Sequence, residues 1–279
     1  MKYKFLGTGA AEGFPSMFCR CEACENARKL GGVNLRSRSQ VLINNDFLVD
    51  FPPDTYFHAQ RYGLHLDELK YLFVTHSHLD HFTCEDMVMR GVAFAHNMKE
   101  PLLRVFGNGQ VKKPYDFFYE HEMFPAVRDG YRFETISAYQ TITAGEYEVI
   151  PLPARHMTTE QAFIYVIKQG GKTIFYANDT GMIYDEVFDF LKKKSIYLDM
   201  VAMDCTMGNN LTRDIDTHMD ISRNIRCVEM LKQSGNIDEK SRLFSTHFSH
   251  NGNPLQDELE KQLLPHGITP AYDGLEVEI

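Results

Sequence analysis

The sequence predicts an α/β fold, and three observations predict it. Short β-branched or aromatic runs alternate with helical patterns along the chain. That alternation runs twice, once before about residue 150 and once after it. Metal-type side chains stand directly after several of the strand runs, and α/β folds build ligand sites at the carboxyl ends of strands.

Taken in order, the β-branched and aromatic runs predict strands over 2–6, 39–43, 47–49, 71–75, 103–106, 147–151, 162–167, 173–176, 200–204 and 243–246. Helical spacing covers 22–30, 53–62, 84–95, 184–194, 218–233 and 254–264. Residues 97–145 are the least regular part and hold Tyr115, Phe117, Phe118, Tyr119, Phe124, Tyr131 and Phe133. They are expected to form a cap or edge insertion that shapes a substrate pocket.

The 279 residues, 43% of them hydrophobic, suffice to bury a large core. Without a Pro/Gly/Ser linker, low-complexity segment or short repeat, the expectation is one domain over 1–279 with two αβ halves, about 1–150 and 151–279. The net charge of −9 excludes a basic nucleic-acid footprint at the level of the whole chain, and bound divalent cations would offset much of it. The opening MKYKFLGTGA lacks the apolar segment of a secretory signal, and no apolar run is long enough for a membrane span. A cytoplasmic protein without a membrane partner is expected. Oligomeric state is not encoded in any motif, and a homodimer stays open. Six cysteines are too few for a disulfide scaffold in a chain of this length. Cys84, Cys205 and Cys227 are isolated and expected in the core.

The strongest signal is Thr75-His76-Ser77-His78-Leu79-Asp80-His81. In extended backbone, residues two apart point the same way, so His76 and His78 converge on one ion. A turn into the following helix swings Asp80 and His81 toward a second point. Imidazole with carboxylate suits zinc, iron or manganese rather than calcium. Cys19, Cys21 and Cys24 form a second signal, because three thiols so close in sequence suit one tetrahedral ion. His250, three residues beyond His247, is available as the fourth ligand.

The H-x-H-x-D-H run resembles the metallo-β-lactamase superfamily, whose fold is a four-layer αβ/βα sandwich. His156 in Pro153-Ala154-Arg155-His156, Asp179 in Asn178-Asp179-Thr180-Gly181 and His247 in Ser245-Thr246-His247 resemble its later ligands, in the expected order. Phe5-Leu6-Gly7-Thr8-Gly9 and Asp50-Phe51-Pro52-Pro53-Asp54 resemble family turns, the latter with Phe51 where glycine is commoner. The resemblance implies one ion on His76, His78 and His156, another on Asp80, His81 and His247, and Asp179 bridging the two. The cysteine cluster with His250 is similar to the cyclic phosphodiesterase of the carbon–phosphorus lyase pathway, which implies a structural zinc on Cys19, Cys21, Cys24 and His250.

Two catalytic divalent metals, zinc or manganese with iron as a further option, would bridge a hydroxide that attacks a small cyclic or ribose-linked phosphodiester. His218, expected to begin a helix, is the candidate for protonating the leaving oxygen. Asp80 is assigned to the catalytic centre as well as to the metal, and Asp204 to orienting a neighbouring ligand or loop. Arg155 is open between a phosphate contact and an exposed ion pair. Three other readings compete. An RNase Z-like nuclease needs a basic face or an RNA-gripping arm, and the net charge of −9 and the absent Gly/Pro-rich arm count against it. Gly13-Phe14-Pro15 before the cysteines resembles the pyrroloquinoline quinone biosynthesis protein B, implying an iron-dependent oxidoreductase; members of that group often lack part of the ligand set. A metal-stabilised binding module without turnover fits poorly with near-complete ligands plus His218. A secreted β-lactamase is not expected without an export signal.

Overall fold

The computed structural model describes residues 1–91, 93–209 and 216–279. Among these, two seven-stranded mixed sheets face each other, with helices on both outer faces: the four-layer sandwich implied by the resemblance. In spatial order the first sheet is β14 (Glu276–Glu278), β1 (Lys2–Gly7), β2 (Gln40–Ile43), β3 (Phe47–Val49), β4 (Tyr71–Phe73), β5 (Leu103–Gly107) and β6 (Tyr131–Thr135). The second is β13 (Ile268–Pro270), β12 (Arg242–Thr246), β11 (Met200–Asp204), β10 (Lys172–Ala177), β9 (Phe163–Gln169), β8 (Tyr147–Pro153) and β7 (Ile142–Ala144). The run from β3 to β6 pairs parallel, as does the run from β10 to β13, while the remaining pairings are antiparallel.

Period-2 alternation explains the layering, because successive side chains of a strand point to opposite faces. Val41, Ile43, Phe47, Val49, Phe73 and Phe106 enter the core between the sheets, where Phe163, Tyr165, Ile174, Tyr176, Met200 and Ala202 meet them. Their neighbours Leu42, Leu48, Leu72 and Val105 point outward, under α2 (Thr55–Tyr62), α3 (Gly109–His121) and α4 (Pro125–Arg128). On the other side Ile164, Val166, Phe175, Val201 and Met203 pack against α5 (Asp185–Lys193), α6 (Ile221–Gln233) and α7 (Gln256–Leu263). α1 (Glu22–Leu30) follows the cysteine loop and buries Cys24 and Ala27. Cys84, Cys205 and Cys227 are buried, as expected. Among the described residues no helix is long and apolar enough to cross a membrane.

Several expected elements need correction. The strand over 71–75 stops at Phe73, because the Thr75 amide leaves the ladder and donates to Asp50 Oδ1 at 2.8 Å. The helix over 84–95 is a short 3₁₀ turn, Glu85–Met89, and position 92 lies outside the described residues. Gly91 ends it at φ 149, a conformation side chains rarely adopt, and a Cβ there would meet Val127 at 2.9 Å. His218 does not begin a helix. Asp220 has extended backbone and caps α6 by accepting from the Arg223 amide, so His218 lies two residues before the cap. The stretch 97–145 is more regular than its sequence predicts, holding β5, α3, α4, β6 and β7.

Candidate metal centre

Nine side chains from scattered positions converge at one end of the sandwich, in three overlapping groups. His76, His78, His156 and Asp179 form one group whose donor atoms all lie within 4.8 Å of one another. Asp80, His81, Asp179 and His247 form a second, and Asp179, Asp204, His218 and His247 a third. Asp179 belongs to all three. Its Oδ2 lies 3.2 Å from His76 Nε2, 3.2 Å from His81 Nε2, 3.3 Å from His156 Nε2 and 3.9 Å from His247 Nε2.

Strand ends deliver these residues, at a conformational cost. Asp50, Asp179 and His247 have φ of 66°, 51° and 61°, a left-handed backbone uncommon for residues other than glycine. Each follows a strand (β3, β10 and β12), so the backbone bends sharply as it leaves the sheet. Gly181 then lets the turn after Asp179 pass close to the Asp216 carbonyl; a Cβ there would sit 1.7 Å from that oxygen.

Outer hydrogen bonds aim the rings. Asp50, fully buried, accepts from the Thr75 amide and hydroxyl through Oδ1 and from His81 Nδ1 through Oδ2, at 2.8, 2.9 and 2.7 Å. The Thr75 hydroxyl thus donates to Asp50 and accepts from His76 Nδ1 at 3.0 Å. Thr206 repeats the device: its hydroxyl donates to Asp204 Oδ2 at 2.7 Å and accepts from His247 Nδ1 at 2.7 Å. In each case Nδ1 carries a proton, which leaves Nε2, facing the cluster, as the atom that would ligate. The sequence offered Asp50 only as part of a turn; its role as the partner of His81 is visible only in three dimensions.

The donor set fits divalent cations. His81 Nε2 and His247 Nε2 are buried without a hydrogen-bond partner among the described residues. His78 Nδ1 lies 2.9 Å from His76 Nε2 and 3.1 Å from His156 Nε2, close to the ~3.4 Å expected between two ligands of a tetrahedral ion bound at about 2.1 Å. Burial pushes the His76 imidazole down to about 3, and His81 adds to that. Burial alone would raise Asp179, yet His247, His218, His76 and His81 hold its carboxyl well below the usual range. Asp80 is likewise held low against burial, mainly by His81. Burial alone would lower His218, but Asp179 Oδ1 at 3.2 Å and Asp204 Oδ2 at 3.4 Å raise it to about 10. Asp204 is itself fixed by the Thr206 and Met219 amides. Arg155 is committed to an ion pair with Asp216 at 3.0 Å and packs over Tyr184, away from a phosphate-binding role.

The cysteine loop meets the last histidine loop. Cys19, Cys21, Cys24 and His250 bring their donor atoms within 4.8 Å of one another. Cys19 Sγ and Cys21 Sγ lie 3.4 and 3.5 Å from His250 Nδ1, against ~3.6 Å expected for sulfur and nitrogen on one tetrahedral zinc. All six cysteines are free thiols, so these three remain available as ligands.

The chain is similar to known proteins along its whole length. The chain is 26% identical to the coenzyme PQQ synthesis protein B of Methylococcus capsulatus, across 99% of each chain. Its fold matches the crystal structure of a new diphosphatase from the PhnP family with a TM-score of 0.76 and 22% identity, covering 100% of this chain and 97% of that one. It matches Zn²⁺-bound PqqB from Methylobacterium extorquens with a TM-score of 0.74 and 17% identity, covering all of both chains. Residues 45–248 match the family model for the beta-lactamase superfamily domain, and the chain belongs to that family.

Proposed function

We propose that this chain is a metal-dependent hydrolase that cleaves a small cyclic or ribose-linked phosphodiester. In this reading His76, His78 and His156 would hold one divalent ion and Asp80, His81 and His247 a second, with Asp179 common to both groups. Cys19, Cys21, Cys24 and His250 hold a structural zinc, giving three metals per chain. Two divalent ions held close together lower the pKa of a water between them and offset charge on a phosphoryl oxygen.

The observation that carries the reading is the position of His218 beside the bridging carboxylate. Its Nδ1 lies between Asp179 Oδ1 and Asp204 Oδ2, at 3.2 and 3.4 Å. Nδ1 therefore keeps a proton, and the other ring nitrogen is left to protonate the departing oxygen. Asp204 acts by holding that ring, since the amides of Thr206 and Met219 fix its own carboxylate. The net charge of −9 favours a small substrate over a nucleic acid.

The test is hydrolysis of bis(p-nitrophenyl) phosphate and a panel of cyclic phosphates by protein reconstituted with zinc, manganese or iron. Turnover is expected, and Asp179→Ala is expected to abolish it with the fold intact. No turnover with any metal, or full turnover in Asp179→Ala, would reject the assignment. A second reading is supported by the end-to-end likeness to the coenzyme PQQ synthesis protein B. It is an iron-dependent oxidoreductase, and oxygen consumption by iron-loaded protein without phosphodiester cleavage would favour it.

A further inference from the structure

We propose that Glu160 is a positioning residue that holds His156 and His78 in register for one divalent ion; this rests on the metal-centre reading above. The reasoning starts from a difference among the histidines. His76, His81 and His247 each have an outer partner on Nδ1, namely the Thr75 hydroxyl, Asp50 and the Thr206 hydroxyl. His156 Nδ1 is buried and has no partner among the described residues. Ligating imidazoles almost always have such a partner, because it fixes the ring. His156 must therefore be aimed by its loop.

That loop joins β8 to β9 over 154–162 and has no regular structure. Its first half is pinned: the Arg155 amide donates to Thr180 Oγ1 and the Arg155 carbonyl accepts from the Gly181 amide, at 2.9 and 2.8 Å. The second half is pinned by Glu160. Its carboxylate accepts from the Ser77 amide at 3.1 Å, the Ser77 hydroxyl at 2.5 Å and Asn108 Nδ2 at 2.7 Å. Ser77 is the residue between His76 and His78. Asn108 caps α3 by accepting from the Gln110 and Val111 amides, so it is itself anchored to a helix. One carboxylate thus ties the His156 loop to the His76–His78 segment and to a rigid element. The two histidines it separates lie 3.1 Å apart, Nε2 to Nδ1. None of these bonds reaches Asp80, His81 or His247, so the second ion position does not depend on Glu160.

The test strips full-length protein of metal and titrates it with Co²⁺, following the d–d absorption, with total metal by elemental analysis. Wild type is expected to take up two ions beyond the cysteine-bound one. Glu160→Ala is expected to bind one of those two roughly ten- to hundredfold more weakly, with the other unchanged. A merely structural role would lower the affinity for both together with the melting temperature. Identical titrations of wild type and Glu160→Ala, or equal weakening of both ions, would overturn the role of Glu160 while leaving the metal centre standing. A wild type that binds nothing beyond the cysteine site would overturn both. Should Glu160→Ala fail to fold, Asn108→Asp carries the same test. It keeps the oxygen that caps α3 but sets a second acceptor against the Glu160 carboxylate where Nδ2 donated at 2.7 Å, and wild-type affinity in it would overturn the inference.

Discussion

Asp50→Asn isolates the effect of one buried oxygen. In the wild type, Asp50 Oδ1 serves Thr75 and Oδ2 accepts from His81 Nδ1 at 2.7 Å. Asparagine keeps the shape and one oxygen, but its amide now faces a donor. If the amide faces His81, the ring must move its proton to Nε2, the atom 3.2 Å from both Asp80 Oδ2 and Asp179 Oδ2, and a protonated nitrogen cannot ligate. If the amide flips, it meets the Thr75 N–H instead. The flipped arrangement leaves one buried donor unmatched, at about 1–3 kcal/mol. Loss of an outer partner lowers metal affinity by roughly 10–100-fold. Asp50→Asn is therefore expected to fold, with a melting temperature a few degrees lower, and to lose the ion on His81 unless metal is in excess. Asp50→Ala strands three buried donors at about 3–9 kcal/mol in all, against a net stability of ~5–15 kcal/mol, and is expected not to accumulate as folded protein. Metal titration and thermal melting of the two variants read both effects. Wild-type metal affinity in Asp50→Asn would refute the claim that Asp50 sets the ring's tautomer.

Three further outcomes follow from the same geometry. His218→Asn is expected to lower kcat by about 10²–10⁴-fold with all metals retained, and an unchanged kcat would exclude it as the proton donor. In the metal-free chain, His218 titrates at about 10 rather than near 6.5, so its stabilising effect is complete below ~6.5 and fades as pH rises toward 10, at roughly 1.4 kcal/mol per pH unit. Denaturant melts across that range should show a shallower slope in His218→Asn; an identical slope would contradict its pairing with Asp179 and Asp204. His250→Ala is expected to lose one metal and lower the melting temperature, since structural zinc contributes folding free energy, and a variant with full metal and stability would void the cysteine site.

The sequence made the strands of both sheets legible where their side chains are apolar on both faces. β3 and β11 run Phe47–Val49 and Met200–Asp204 as expected, because each is a continuous buried run. β13 and β14 were not legible. They are three-residue edge strands, one holding Pro270 and the other reading Glu-Val-Glu, so neither carries a strand pattern. α3 was hidden by Pro114 within its span, although Asn108 was a cap signal in plain view. The metal-type residues were legible because H-x-H-x-D-H concentrates four of them, and the later histidines follow strand ends. Asp50 and Glu160 were not, because an isolated acid reveals its partner only when Thr75, His81, Ser77 and Asn108 are brought to it by the fold. His218 was found for its residue type and misplaced for its local structure, since Asp220 takes the cap.

The arrangement also explains why so unfavourable a site persists. Asp50, Asp179 and Asp204 are buried almost completely, and left-handed backbone at Asp50, Asp179 and His247 costs of order 1–3 kcal/mol each. A buried carboxylate needs a compensating positive charge. In the metal-free chain that charge comes from protons: His81, His218 and His247 all titrate above their ordinary range because, against burial, acids surround them. His76 and His156, by contrast, are pushed down by burial and stay neutral. The cluster is thus divided into rings ready to ligate and rings that must first give up a proton. Cations entering the second group displace those protons. Acid competes directly for those positions, and metal is therefore expected to leave the His81 and His247 side of Asp179 before it leaves the His76 and His156 side as pH falls.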